Sequence, residues 1–463
     1  MHFIDYSLIV VYLGLLLFLG FYRKLSKDSS PIELIVGGRM LTLPAFIASL
    51  VSTWYGGILG VGEYSYNYGL SNWLVFGLPY YLAAFLFALF LARKARQSEL
   101  LTVPERLYQT YDNKTATAGS IVIYLMTVPA AYVLMLGVLC QYLFGWPFWL
   151  GVLLGTLFSI VYVYLGGFNS VVRTDVFQFA LMFIGFIILL VILVVNFGGL
   201  DFLSSRLPEQ HLTWHGGKSR LYIATWYVIA LATLIEPAFY QRCYAAKSAS
   251  VARNGILISI LCWTVFDFLT TSCGLYARAL LPELADPVSS YPVLALKVLP
   301  AGLLGLFALA LLATVMSTVD SYAFLAASTF GNDIMQRMFH IGEDAVTRWT
   351  RVGLVLSVLL AVGFAVFFRS AVDIWYAFGS IGTPALLVPV FFSFVGNRRL
   401  PPRAATLSIV ICGLLSLVWY ISSYLNPEGA FWFGLEPVFP GLALSILIFL
   451  LFSRKQPEGL PNS

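Results

Sequence analysis

The stretch at residues 311–328, LLATVMSTVDSYAFLAAS, carries hydroxyl side chains at helical spacing inside a long apolar run. The hydroxyl residues at i, i+3, i+4 and i+7 are Thr314, Ser317, Thr318 and Ser321. On an α-helix this spacing places the side chains on one stripe. Hydroxyl and carbonyl oxygens are hard ligands of the kind that a small hard cation prefers. We therefore predict that this helix supplies much of a sodium site.

Asp320 lies three residues after Ser317, at the edge of the same stripe. A carboxylate is costly at membrane depth and therefore indicates a functional site. A structural interpretation is also open, because Ser and Thr in membrane helices often bond back to the i−4 carbonyl or allow close helix packing. The stretch alone does not decide between the two.

The composition is that of a polytopic membrane protein. Of the 463 residues, 60% are hydrophobic and 11% are charged, whereas a soluble domain carries roughly 25% charged residues. The net charge of +5 does not indicate nucleic-acid binding, because the basic residues lie in short loops between apolar runs. The surrounding partner is therefore the lipid bilayer, and we expect no nucleic-acid partner.

Apolar runs long enough to cross a bilayer, which takes about 20 residues, recur along the chain. We place thirteen transmembrane helices near residues 3–22, 42–68, 72–92, 117–141, 147–165, 170–196, 220–241, 254–279, 292–329, 350–368, 371–395, 404–424 and 433–453. If the N-terminus lies outside, the inner segments hold 21 of the 27 Lys and Arg residues. The six on the outer side are Arg206, Lys218, Arg220, Arg278, Lys297 and Arg369. Basic residues concentrate on the cytoplasmic side, so we predict an outer N-terminus and an inner C-terminus.

The second span, residues 42–68, is predicted to be a broken helix. Its middle and outer half contain Ser52, Thr53, Gly56, Gly57, Gly60 and Gly62. Each glycine costs a helix interior about 1 kcal/mol, and a break at membrane depth is tolerated where its freed carbonyls bind a cation. Close helix packing through glycine is the alternative.

Counting spans from this broken helix suggests an inverted repeat, since five spans reverse the direction of the sixth. The predicted divisions are 1–41 for an extra N-terminal helix and inner loop, 42–196 for the first repeat, 197–219 for an outer loop, 220–395 for the second repeat, and 396–463 for two further helices and an inner tail. Such repeats with sites at the midplane are common among secondary transporters.

Three further acids fall at membrane depth: Glu63, Glu236 and Asp267. Glu63 is expected to line an outward vestibule. Glu236 precedes Pro237, and we expect it to pair with Arg242. Asp267 has no evident partner, although an acid at this depth is a functional hypothesis by default.

Four stretches together carry a family resemblance: SLVSTWYGG at 49–57, GGFNSVVRTDVFQ at 166–178, YQRCYAAKS at 240–248 and ATVMSTVDS at 313–321. In this order the chain resembles the sodium:solute symporter family, which includes the sodium–glucose, proline and pantothenate symporters. The resemblance implies an all-α, leucine-transporter-type fold with a five-plus-five inverted repeat and about thirteen transmembrane helices.

The resemblance also implies the ligands of a shared sodium site, namely the carbonyls of Ser52, Tyr55 and Thr314 and the hydroxyls of Ser317 and Thr318. Some family members have a second sodium site, which here would comprise Asp175, Ser317, Asp320 and Ser321. Asp320 departs from the family pattern, where relatives carry a hydroxyl, and an acid there can bind sodium, pair with a base or be protonated. Asp175 has a structural alternative near a helix N-terminus, where it favours the macrodipole and can pair with Arg173.

The solute pocket is expected between the broken first core helix and the third, sixth and tenth core helices. The candidate residues are Trp54, Tyr55, Gly56, Gly57, Trp226, Tyr227, Trp375 and Tyr376. Aromatic rings can stack on a sugar or cover an apolar group, and the free N–H groups of a broken helix can hold a carboxylate. We expect a small organic solute, preferably a carboxylate or an amino acid, with a sugar still open.

The leading functional prediction is Na⁺-coupled symport by alternating access, and the family resemblance implies a bacterial-type inner plasma membrane. A proton-coupled transporter, with Asp175 or Asp320 essential, and a transporter-like membrane sensor are the alternatives. The chain carries no HExxH, GxSxG or paired catalytic acids, so we predict that it is not an enzyme. The sequence does not define the oligomeric state, and a monomer is compatible with all of these features.

Overall fold

The computed structural model describes residues 1–22, 30–368 and 370–455. In these ranges the chain is helical apart from loops and one antiparallel pair of two-residue strands, β1 (Arg398–Arg399) and β2 (Arg454–Lys455). The fold is therefore a bundle of apolar helices, as the composition predicts.

The α-helices of the first part of the chain are α1 (Phe3–Phe21), α2 (Pro31–Val36), α3 (Leu43–Trp54), α4 (Ile58–Tyr68), α5 (Leu78–Phe90), α6 (Ala92–Gln97), α7 (Val103–Thr110), α8 (Asn113–Met126), α9 (Ala130–Phe144) and α10 (Phe148–Phe197). Those that follow are α11 (Leu200–Arg206), α12 (Arg220–Ile229), α13 (Pro237–Ala245), α14 (Ala249–Leu280), α15 (Ser290–Val298), α16 (Leu303–Ser328), α17 (Gln336–Phe339), α18 (Glu343–Phe367), α19 (Ala371–Phe394), α20 (Pro402–Leu425) and α21 (Val438–Phe452). The 3₁₀ and π turns lie at Gly37–Arg39, Trp73–Gly77, Glu209–Leu212, Ala230–Ile235, Pro287–Ser289, Thr329–Met335 and Trp432–Gly434.

The described residues contain 10 helical segments long and apolar enough to cross a membrane, and the bent pair α3–α4 makes up to 11. The difference from thirteen predicted spans has two causes. Helix α10 is 50 residues long and covers two predicted spans, interrupted at Gly167, where φ is 57° and ψ is −154°. Only glycine adopts that conformation readily. Helix α21 has 15 residues, fewer than the roughly 20 that cross a bilayer.

The prediction of one long helix across residues 292–329 is wrong. Helix α15 ends at Val298, and α16 begins at Leu303. Pro300 lies between them, and Gly302 adopts a φ of 86°. A proline without an N–H followed by a left-handed glycine ends one helix and redirects the chain before the next.

The break predicted in the second span is confirmed. Helices α3 and α4 are bent by 57° with residues 55–57 between them. A second interruption separates α12 from α13, where a 3₁₀ segment leads to Glu236 in an extended conformation and Pro237 begins the next helix. Proline suits the first helical position because its missing N–H has no partner there in any case. This second break was not predicted from the sequence.

Helix α16 lies at the centre of the bundle. All of its residues are buried except Leu303 and Leu306, and it packs against α3, α9, α10 and α18. The contact with α10 is close, because a Cβ on Gly185 would lie 2.2 Å from the Ala310 Cβ. The hydroxyl stripe therefore faces neighbouring helices and not lipid.

Candidate ion site and solute cavity

The break between α3 and α4 meets the hydroxyl stripe of α16 directly. A Cβ on Gly56 would lie 1.8 Å from the Thr318 Oγ1, which is far inside any tolerated contact. Glycine at this position therefore permits the close approach of the break to α16. Gly57 is similarly crowded, because its Cβ would lie 2.2 Å from the Trp375 ring.

Two hydroxyls and three carbonyl oxygens converge at this contact. The Ser317 hydroxyl lies 3.1 Å from the Ser52 carbonyl oxygen and 3.0 Å from that of Thr314. The Thr318 hydroxyl lies 2.8 Å from the Thr53 carbonyl, 3.3 Å from that of Ser52 and 3.4 Å from that of Thr314. All of these residues are fully buried. Each hydroxyl donates to a carbonyl here, and its lone pairs stay available as acceptors.

Of the five predicted ligands of the shared sodium site, four meet in this cluster: Ser52, Thr314, Ser317 and Thr318. The Thr53 carbonyl, which was not predicted, makes the shortest contact. Tyr55 lies in the break, and its hydroxyl donates to Asp267 on α14 and lies 2.8 Å from the Thr270 hydroxyl. No local pattern identifies the Thr53 carbonyl as a ligand, because the path of a broken helix depends on its tertiary contacts.

The four residues predicted for a second sodium site do not converge on one position in the structure. Asp175 and Ser321 lie around the Arg242 guanidinium, whose Nη2 is 3.5 Å from the Asp175 carboxylate and 2.8 Å from the Ser321 hydroxyl. Arg242 also donates to Thr53 Oγ1 at 2.8 Å and to Ser49 Oγ at 3.2 Å. The Ser49 hydroxyl in turn donates to Asp175 at 2.6 Å.

The expected pairing of Glu236 with Arg242 is wrong, because Asp175 holds that arginine. Arg242 and Asp175 are both fully buried, and a buried charge requires a partner of opposite sign. The fixed cation of Arg242 therefore lies beside Asp175 and Ser321, two of the groups that the family resemblance implied for a second sodium ion.

Asp320 faces a different helix. The Tyr162 hydroxyl on α10 donates to its carboxylate, whose second oxygen has no partner among the described residues. Ser317, the fourth residue of the predicted second site, bonds to Ser52 in the first cluster. Although Asp320 and Ser321 are adjacent in sequence, a helix turns about 100° per residue, so they point toward different neighbours.

A cavity of about 170 Å³ lies beside the break. Most of its lining is aromatic or aliphatic, and it contains two acids. The lining residues are Trp54, Tyr55, Gly57, Val61, Phe76, Tyr80, Tyr81, Met126, Val128, Ala131, Tyr132, Ile229, Ala232, Glu236, Trp263, Asp267, Tyr322, Ile374, Trp375, Phe378 and Gly379. They come from both interrupted segments and from α5, α8, α9, α14, α16 and α19.

Of the residues predicted for the solute pocket, Trp54, Tyr55, Gly57 and Trp375 line this cavity. The other predicted pocket residues lie elsewhere. Gly56 contacts Thr318, and Trp226 packs between Phe76 and Tyr376 in a neighbouring aromatic cluster that Tyr227 also contacts. The Tyr376 hydroxyl donates to Glu436. The second interruption explains why Trp226 and Tyr227 do not line the cavity. It turns Ile229, Ala232 and Glu236 toward the cavity instead of the helical turn that precedes them.

Glu236 and Asp267 were predicted to lie at membrane depth, but neither was predicted to line the pocket. Asp267 accepts hydrogen bonds from the hydroxyls of Tyr55 and Tyr81. Glu236 accepts from the Ala238 N–H at 3.3 Å and so caps α13. The signal that could have found Glu236 is the following proline, which begins a new helix within a predicted span.

Comparisons with known proteins agree with this arrangement. The sequence pattern of the sodium:solute symporter family matches residues 34–399. The sodium/pantothenate symporter of Haemophilus influenzae is 25% identical over 94% of this chain and 92% of its own length. A sodium/proline symporter of Staphylococcus saprophyticus is 24% identical over 97% of this chain and 92% of its own length.

Solved structures show the same fold. A sodium-coupled sialic acid symporter, in a substrate-bound outward-open state, has a TM-score of 0.80 at 16% identity and covers 98% of this chain and 100% of its own. A nucleobase-cation-symport-1 transporter in a closed conformation has a TM-score of 0.59 at 11% identity, over 92% of this chain and 95% of its own. The chain thus has the leucine-transporter-type fold of these transporters.

The family match covers most of the chain, and the described helices make it a multi-pass membrane protein. The chain therefore belongs to the sodium:solute symporter family, is a transporter and not an enzyme, and uses sodium as the coupled ion.

Proposed function

We propose that this chain carries one sodium ion together with one compact organic solute, and that the ion binds between the α3–α4 break and α16. The observation that carries the proposal is the convergence of the Ser317 and Thr318 hydroxyls on the Ser52 and Thr53 carbonyls. These neutral, hard oxygens suit a small hard monovalent cation. On binding, each hydroxyl would turn its proton away and present a lone pair to the ion.

An ion in this cluster would tie α3 to α16. Its ligands would come from the last turn of α3 and from the middle of α16, so they hold together only while the two helices stay in contact. Sodium therefore favours the conformations in which this contact is made. A ligand shifts a conformational equilibrium only through such a difference in affinity.

The solute cavity and the ion cluster share one short segment. Ser52 and Thr53 provide carbonyls to the cluster, while Trp54, Tyr55 and Gly57 line the cavity. The Tyr55 hydroxyl fastens this segment to Asp267 of α14. A solute that orders residues 54–57 would therefore also order the ion ligands, which is the basis of coupling between the two sites.

Arg242 supports a stoichiometry of one sodium ion. Its guanidinium contacts Asp175, Thr53 and Ser321 and supplies a permanent positive charge beside them. A second sodium ion at Asp175 and Ser321 would have to displace this charge. We therefore propose that the arginine replaces the second ion whose site the sequence suggested.

The energy from one ion is sufficient for strong accumulation. One charge moving down 100 mV gives about 2.3 kcal/mol, and a tenfold sodium gradient gives about 1.4 kcal/mol. Together they can concentrate a neutral solute by about a few hundredfold. Alternating access then requires the cavity to open to each side in turn, with the interrupted helices as the moving parts.

The proposed topology has thirteen crossings, with α10 crossing twice about Gly167 and the short α21 as the last. The repeats comprise residues 42–196 and 220–395, with the N-terminus outside and the C-terminus inside a bacterial-type inner membrane. The two interruptions, at residues 55–57 and 230–236, support this division because each falls in the first span of its repeat.

Purified protein in proteoliposomes tests the proposal. An inward sodium gradient should drive accumulation of the solute, and replacement of sodium by potassium should abolish it. Sodium alone should also raise the melting temperature of the detergent-purified protein, because an ion that binds only the folded state stabilises it. Uptake driven equally well by a pH gradient without sodium would contradict the proposal.

A further inference from the structure

We propose that the solute is a compact organic cation, such as a primary amine or a quaternary ammonium compound, held between Glu236, Asp267 and an aromatic wall. This inference rests on the proposed function, since it takes the cavity beside the α3–α4 break as the solute site. It deepens that function by naming the chemical class of the solute.

The charge of the cavity is the first argument. Glu236 and Asp267 both line it, and among the residues that the structure describes its lining includes no Lys, Arg or His. The nearby Arg242 makes its ion pair with Asp175 and attracts Glu236 only from a longer distance. A buried carboxylate is costly unless a charge of opposite sign or several hydrogen bonds compensate it. A positively charged solute supplies the missing charge, whereas a solute with only a negative charge would add to the repulsion.

The two acids have different surroundings. Asp267 is fixed by the hydroxyls of Tyr55 and Tyr81, so it contributes a negative field from a defined position. Glu236 accepts the backbone N–H of Ala238 at 3.3 Å and interacts with the Tyr322 hydroxyl. Its carboxylate has up to four acceptor directions, so it keeps directions free to accept N–H groups from a solute. We therefore expect Glu236 to be the direct partner of the cation.

The aromatic wall is the second argument. Six of the rings that line the cavity are Phe76, Trp54, Tyr80, Tyr132, Trp263 and Trp375. Trp54 is the centre of this wall, with ring centroids 6.0 Å from Tyr80 and 6.2 Å from Trp263. The faces of such rings attract ammonium groups, and tryptophan attracts them most strongly. Acids and rings around one cavity thus favour the same kind of solute.

The indole N–H of Trp263 adds an independent feature. Trp263 is 2% exposed, lines the cavity and has no partner for its Nε1 in the described part of the chain. A buried donor without a partner is costly, and a solute with an acceptor oxygen can satisfy it. The solute is therefore expected to carry a hydroxyl, ether or carbonyl oxygen in addition to its positive charge.

The size of the cavity limits the solute. A cavity of about 150 Å³ holds a molecule such as benzene, and this one measures about 170 Å³. A compact cation of roughly six to ten heavy atoms fits that space. A compact cation differs from the carboxylate or amino acid expected from the N–H groups of the broken helix, because the two acids of the cavity come from separate segments of the chain.

Matched probes of different charge provide the test. Choline, 3,3-dimethylbutan-1-ol and 3,3-dimethylbutanoate have the same branched end but differ in charge, as do 2-phenylethylammonium, 2-phenylethanol and phenylacetate. Quenching of tryptophan fluorescence would be measured with purified full-length protein in sodium buffer, because three tryptophans line the cavity. In each set the cation should bind about tenfold or more tighter than its neutral and anionic partners. A charged hydrogen bond to an acid supports this for 2-phenylethylammonium. Attraction to the acids and to the aromatic faces supports it for choline, whose nitrogen has no N–H.

Substitutions of the two acids test whether they are responsible for binding the cation. Glu236→Gln should weaken binding of the cation about tenfold and leave binding of the neutral probes unchanged. Asp267→Asn should act in the same direction and serves as the second variant if the first does not fold. Glu283→Gln, which removes an acid from an exposed loop, is the matched control and should bind like the wild type. The sodium-induced rise in melting temperature reports whether each variant is folded.

If the sodium-induced rise in melting temperature is intact, three outcomes would overturn the proposal. The first is equal or tighter binding of the neutral or anionic probes, and the second is no binding of either cation. The third is unchanged cation binding in both acid variants. If sodium does not raise the melting temperature of the wild-type protein, the result would instead contradict the proposed function. The two failures are therefore distinguishable.

Discussion

Gly56 lies against Thr318 so closely that a Cβ on Gly56 would come within 1.8 Å of the Thr318 Oγ1 and 2.2 Å of its Cβ. The neighbouring carbonyls of Ser52 and Thr53 reach Thr318 only because the break approaches α16 at this distance. The absence of a side chain at position 56 is therefore a condition for the ion cluster.

Gly56→Ala should separate the break from α16 and remove the sodium response. We expect the sodium affinity, measured from the sodium-dependent rise in melting temperature, to fall by about tenfold or more, which corresponds to about 1.4 kcal/mol. Gly14→Ala is the matched control, because a Cβ on Gly14 meets no atom within 4 Å. A wild-type sodium response in Gly56→Ala would show that the cluster does not bind the ion.

The ion pair between Arg242 and Asp175 should be costly to break from one side. Arg242→Met leaves the fully buried Asp175 without its cation, so we expect a loss of about 3–5 kcal/mol in the free energy of unfolding. Adding Asp175→Asn to this variant should restore more than half of the loss. Lys247→Met, at an exposed site, should change stability by less than about 0.5 kcal/mol. Equal effects of the single and double variants would exclude a coupled pair.

The position of Arg242 also predicts how transport depends on sodium. Because the guanidinium takes the place of a second ion beside Asp175 and Ser321, initial uptake should rise hyperbolically with sodium concentration. A Hill coefficient of about one is expected for a single coupled ion. A coefficient near two in reconstituted protein would show that a second sodium ion takes part.

His211 predicts a loss of stability in mild acid. It is 1% exposed, its Nε2 lies 3.0 Å from the Tyr66 carbonyl oxygen, and its Nδ1 has no partner within the described ranges. Burial lowers the pKa of His211 below its ordinary value of 6.5. As the pH falls through about 6.5, the unfolded chain therefore takes up a proton that the folded protein resists, and the free energy of unfolding decreases.

The measurement is the melting temperature of the purified protein between about pH 7.5 and pH 5.5. His211→Gln keeps a side-chain donor and should reduce the slope over this interval. His340→Asn, at an exposed site, should not change it. An unchanged slope in His211→Gln would refute the assignment of the pH dependence to this side chain.

The meeting of the break and α16 was predictable because both signals are local. Hydroxyls spaced i, i+3, i+4, i+7 share a helix face whatever the rest of the fold does, and Gly56 and Gly57 weaken any helix that contains them. Their contact then followed from the family resemblance. The positions at which the two elements touch did not follow from any local rule, which explains why the Thr53 carbonyl was missed.

The features that sequence reasoning missed depend on tertiary structure. Arg242 pairs with Asp175, which is 67 residues away in the chain, and not with the nearer Glu236. Asp320 contacts Tyr162 because α10 passes on that side of α16. No spacing within a single helix contains this information. The expected solute changed for the same reason, because the acids of the cavity come from two separate segments.

The most direct test of the central claim is sodium binding by the double variant Ser317→Ala/Thr318→Ala. It removes the two α16 hydroxyls that contact the Ser52 and Thr53 carbonyls. The matched control is Ser328→Ala/Ser357→Ala, which removes two buried hydroxyls that bond only within their own helices. We predict that the first variant remains folded but loses both the sodium-induced rise in melting temperature and sodium-dependent uptake, while the control keeps both. Unchanged sodium dependence in Ser317→Ala/Thr318→Ala would contradict the account.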